Sequence, residues 1–144
     1  MEMTEAVNAE FFEQLGKGKV VPLVPRGISM LPFIQGGRDM VLIHKEEKVG
    51  IGDIVLVPHD GRLILHRVYA IDGTRLTLMG DGNLKGKETV DKSEVLGTVK
   101  EIIKAGGSCR TPHKAWFWRH SLPLRWVMLK LRRKWYKMRG LNPE

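Results

Sequence analysis

The chain of 144 residues has a single cysteine, Cys109, so no internal disulfide can form and a cysteine-ligated zinc site is excluded. A lone thiol suits a reducing compartment. Long apolar runs are also missing: none reaches the roughly 18 residues a membrane-spanning helix needs. No charged start leads into an apolar core, so no secretory signal is expected. These absences predict a cytoplasmic protein, soluble or peripheral to a membrane. Acidic residues are lacking in one place only. Residues 105–144 hold ten Lys/Arg and one acid, Glu144, whereas residues 1–104 hold 14 Lys/Arg and 15 Asp/Glu. All four tryptophans (116, 118, 126 and 135) fall in that same basic stretch. The net charge of +8 therefore describes a near-neutral domain with a basic, aromatic tail.

Sixteen glycines and seven prolines argue for many turns and against a helical bundle. Residues 4–15 read as a short helix, capped by Thr4, with Val7, Phe11 and Leu15 on one face. Residues 19–25 (KVVPLVP) read as an edge strand, because Pro22 and Pro25 cannot donate ladder bonds. Further strands are predicted at 39–44, 53–58, 62–71, 74–79 and 95–104, with a hairpin at Asp72 and Gly73. Six short strands at this spacing predict a mostly β, compact, twisted or barrel-like domain over 19–104, after an N-terminal helix in 1–18. Over 123–139 the period changes to 3.6. Leu124, Val127, Met128, Leu131, Trp135 and Met138 form an apolar stripe among Arg and Lys, with Gly140 as a stop.

Three short strings carry the chemistry. GISMLP (27–32) places Ser29 on a turn bracketed by glycine and proline. LHRV (65–68) places His66 in a strand whose alternation puts it with Ile64 and Val68. GDGN (80–83) supplies Asp81. A serine hydroxyl is a poor nucleophile until a neighbouring base takes its proton, and an imidazole suits that task. Gly27 lets a substrate backbone approach, and the Ser29 N–H is a candidate oxyanion donor. Each string has a plainer reading as a turn or a structural strand histidine. His44, His59, His113 and His120 lack metal-binding spacing, so no metal or cofactor is expected.

The order of these strings, with Asp39, VGIGDIV (49–55) and VLGTV (95–99), resembles the type I signal peptidase and LexA-like serine peptidase superfamily over roughly residues 19–104. The resemblance implies a mostly β peptidase fold with Ser29 as nucleophile. Lysine-dependent members carry their base where this chain has His66, so the pattern looks like the Ser–His branch of endoplasmic-reticulum and archaeal signal peptidases. It implies His66 as base and Asp81 as third member, with Asp91 in reserve because Gly86 and Lys87 stand where that branch often has further acids. It also implies a peptide substrate added as a strand beside Gly27, Ile28, Met30 and Pro32.

The function expected is a serine endopeptidase cutting a protein or leader peptide. The rival is a non-catalytic peptide- or membrane-binding module on the same fold. For the tail, residues 114–139, an anionic membrane surface is the favoured partner. Packing on the β domain or on another copy comes close behind, and nucleic-acid binding is the lesser reading. The oligomeric state is left open.

Overall fold

A computed structural model describes residues 5–27, 29–83, 86–114 and 122–140. Thr4, Ile28, Trp116, Trp118 and His120 lie outside these residues, as do the side chains of Val7 and Leu124. The fold is one antiparallel sheet of eight strands with a helix at each end of the chain. Helix α1 spans Glu5–Gly16, and its Phe11 and Leu15 are buried as the spacing predicts. The strands are β1 (Val21–Leu23), β2 (Met40–His44), β3 (Ile54–His59), β4 (Arg62–Asp72), β5 (Arg75–Met79), β6 (Glu88–Asp91), β7 (Gly97–Ile103) and β8 (Cys109–Arg110). Helix α2 spans Leu122–Met138 and ends at Gly140, whose φ of 69° is costly for other residues.

The sheet runs β1-β2-β7-β3-β4-β5-β6, with β8 beside β7. It does not close on itself, so the barrel-like expectation resolves to an open, folded-over sheet. Two strands went unread in the sequence, β6 and β8. Both are short, and β6 buries only Val90.

The apolar run of β3 explains why the sheet has two covered faces. Ile54 and Leu56 join one core with Phe11, Met30, Ile34, Val41, Ile43 and Leu65. Val55 and Val57 join a second core with Val68, Leu76, Leu78 and Val90. A strand buried on both sides reads as a continuous apolar stretch. Every described residue of these two cores lies between 11 and 102.

One strand edge near the serine turn, that of β1, has no second partner among the described strands. Strand β1 is the end of the sheet and pairs only with β2. Strand β4 pairs with β3 from Arg62 to Arg67, but with β5 only from Arg67 onward. Residues 62–66 lie ahead of the β5 pairing.

Candidate active site

Ser29 sits on the turn after β1, half-buried, between Gly27 and the buried Met30 and Leu31. Gly27 has a φ of 85°, which a side chain would strain, and Gly36 packs tightly against its backbone. The loop beyond the serine is clasped at its far end. Asp39, only 2% exposed, accepts from Lys104 Nζ at 2.5 Å, and from the N–H groups of Gln35 at 2.7 Å and Ala105 at 3.2 Å. Burial raises its pKa, but these donors outweigh burial and hold the carboxyl below its ordinary 3.8. Lys104 also donates to the Phe33 carbonyl at 3.0 Å, tying β7 to the middle of the loop.

Residues 80–83 form a hydrogen-bonded turn, with Asn83 N–H donating to the Gly80 carbonyl at 3.0 Å. Gly82 N–H donates to the Ser29 carbonyl at 2.7 Å. A Cβ on Gly80 would collide with the Ser29 carbonyl and come within 3.0 Å of His66 Nε2. Gly80 is thus the point where the serine turn and the histidine ring adjoin. His66 lies in β4, 5% exposed, with Nε2 towards this junction.

The other ring nitrogen meets a carboxylate. His66 Nδ1 lies 2.8 Å from Glu88 Oε2, and the Glu88 side chain is 17% exposed. Glu88 opens β6 and pairs with Leu78 of β5, which carries it across to β4. The acid found at the imidazole is therefore Glu88, not Asp81 or Asp91.

Asp81 is instead engaged by Arg67. The guanidinium approaches both carboxylate oxygens at 2.8–3.0 Å, and its remaining arm reaches the carbonyls of Gly52 and His113 at 2.8 and 2.7 Å. Arg67 and Asp81 are 1% and 0% exposed, so the pair is wholly out of water. The alternation of β4 explains the split. His66 points with Ile64 and Val68, while Arg67 points to the opposite face. Asp91 caps a 3₁₀ turn by accepting from Ser93 N–H at 2.9 Å, far along β6 from the ring.

A cleft enclosing about 80 Å³ opens beside Ser29. Leu23, Pro25 and Gly27 form one wall, Leu63, Ile64 and Leu65 the other, and Met30, Ile34 and Leu56 the floor. The first wall runs on from β1 and the second is the start of β4. Of the residues expected to bind substrate, Gly27 and Met30 line this cleft, and Ile28 lies outside the described residues. Pro32, joined to Leu31 by a cis peptide bond, faces a different cavity with Phe33 and His113. Among the described residues the Ser29 hydroxyl makes no hydrogen bond to His66, a gap that unliganded hydrolase sites commonly show and close around substrate.

The model of the Peptidase S24-like family matches residues 2–103, most of the chain. The chain belongs to the Peptidase S24-like family. The match takes in α1, the serine turn, β4, the turn at 80–83 and β7, and stops before the tail. The S24-like fold thus accounts for both cores and for every residue at the cleft. No curated protein matches the chain. No group of His, Cys, Asp and Glu suited to a metal ion occurs among the described residues. No described helix is long and apolar enough to cross a membrane.

Proposed function

We propose that this chain is a serine endopeptidase of the Ser–His, signal-peptidase-like type, with Ser29 as nucleophile, His66 as general base and Glu88 as the acid that orients it. The observation that carries this reading is the 2.8 Å contact between His66 Nδ1 and Glu88, with Nε2 turned to the serine turn. A carboxylate at Nδ1 makes that nitrogen the donor and leaves the Nε2 lone pair free to accept a proton.

The reaction then follows from the atoms present. A peptide enters the cleft as an extended strand beside the outer edge of β1, with residues 63–65 as the facing wall. As Ser29 Oγ adds to the scissile carbonyl carbon, its proton moves to His66 Nε2 and Glu88 stabilises the imidazolium. The intermediate collapses with cleavage of the C–N bond, and Nε2 protonates the departing amine. Water then attacks the acyl-serine, giving its proton to Nε2. The ester C–O bond breaks and the serine recovers its hydrogen. The Ser29 N–H serves the oxyanion.

A fluorophosphonate probe followed by peptide mass spectrometry tests the assignment. Labelling is expected at Ser29 in the wild type and lost in both Ser29→Ala and His66→Ala. Labelling at another residue, or equal labelling of His66→Ala, overturns it. The unclosed Ser29–His66 gap favours one rival, a peptide-binding module that holds a strand in the same cleft without cutting it. That rival predicts peptide capture with no acyl-enzyme.

A further inference from the structure

Helix α2 has two unlike faces. Its inner face lies on the serine side of the domain. Leu129 is 3% exposed, and with Tyr136 it packs over Leu31 and Gly82. Arg133 Nη2 reaches the Gly82 carbonyl at 3.4 Å. The described side chains of the predicted stripe do not take part in this contact. Val127, Leu131, Trp135 and Met138 recur at i, i+4, i+8 and i+11 and face away from the domain, with Leu131 62% and Met138 77% exposed. The described side chains of the stripe are therefore not packed on the β domain.

We infer that this outer face docks on a bilayer of anionic lipid. At 100° per residue the apolar arc is bordered by Lys130, Lys134 and Lys137 on one side and by Arg132 and Arg139 on the other. No acid occurs from residue 105 to 143. The cations also lean on the rings. Lys130 Nζ sits 3.8 Å from the Trp126 centroid, and the Arg139 guanidinium 5.0 Å from that of Trp135. Apolar side chains in the centre, tryptophan beside them and cations on both borders match the acyl, interfacial and headgroup layers of one leaflet.

Two other occupants fit less well. A second copy on the same face would bring two basic borders together with no acid to offset them. A nucleic acid would meet the cations but leave Val127, Leu131 and Met138 in water. A helix is about 10 Å across, so a bilayer on the outer face lies that far from the residues touching Leu31 and Gly82. On the peptidase reading the cut then takes place at the lipid surface, but the binding itself does not depend on that reading.

The test uses the full chain with phosphatidylcholine vesicles, with and without phosphatidylglycerol. Flotation measures binding. Tryptophan emission gives a second readout, because all four tryptophans lie between 116 and 135. The expected result is at least about tenfold tighter binding to the anionic vesicles, weakened by salt, with a blue shift. The double variant Leu131→Glu, Met138→Glu should lose at least about tenfold while melting like the wild type, because both side chains are exposed. Three outcomes overturn the inference: no flotation with anionic vesicles, equal flotation of the double variant, or equal binding to neutral vesicles. A dimer or an oligonucleotide complex abolished by the double variant, without vesicle binding, overturns it as well.

Discussion

His66 and Arg67 are neighbours in the chain, yet each takes its own carboxylate on its own side of β4. Their substitutions should therefore fail differently. Glu88→Gln keeps the shape, but its amide can turn an N–H towards Nδ1 and move the ring proton to Nε2. Fluorophosphonate acylation is expected to slow by about 10²-fold or more with the melting point nearly unchanged. Asp81→Asn instead strands the Arg67 charge out of water. Urea unfolding should show a loss of about 3–5 kcal/mol. Gly80→Ala belongs with the first group, since its methyl would push the Ser29 carbonyl from the ring. Acylation should drop at least about tenfold, with labelling still confined to Ser29. An Asp81→Asn protein that folds normally but acylates slowly would return Asp81 to the catalytic role.

At the scale of elements, the loop between the serine turn and β2 depends on the Asp39–Lys104 clasp. The Asp39 pKa is lowered in the folded state, so its contribution to stability is present above 3.8 and is lost as the pH falls through the lower folded value. Amide exchange at Gln35 and Ala105 should quicken below about pH 3.8, before the sheet amides respond. An Asp39→Asn chain should lack this acid step and exchange fast at neutral pH. Most elements could be read from the sequence because their patterns are strong. The run IVLV of β3, the alternation around His66 and the Asp72–Gly73 turn each carry their own signal. Strand β6 carries almost none. ETVD buries one residue, follows a glycine and a lysine, and is held by pairing with β5 rather than by its own propensity. The acid at the imidazole was missed for that reason: a side chain on a weak edge strand becomes visible only once its partner strand is placed. Ser29, His66 and Asp81 each sit in a locally distinctive string, so all three could be read as candidates, while only the folded sheet puts Glu88 at the imidazole and Arg67 on Asp81.

At the scale of the molecule, the described residues of the two cores form a unit that ends by residue 102, and among the described residues the tail adds one buried leucine to it. A chain stopped after Lys114 should fold, losing about 2–3 kcal/mol for Leu129 and the apolar surface it covers on Leu31. Denaturant unfolding would measure this, and a truncated chain that failed to fold would mean that α2 belongs to the domain rather than leaning on it. The open sheet has one more consequence. An unguarded strand border invites any stray chain to stack on it, including another molecule of the same protein. Here Pro22, inside β1, has no hydrogen to offer a newcomer, while its carbonyl can still receive one. The border therefore screens what it admits: an incoming segment must bring its own amide hydrogen opposite that position, and proline there would be turned away.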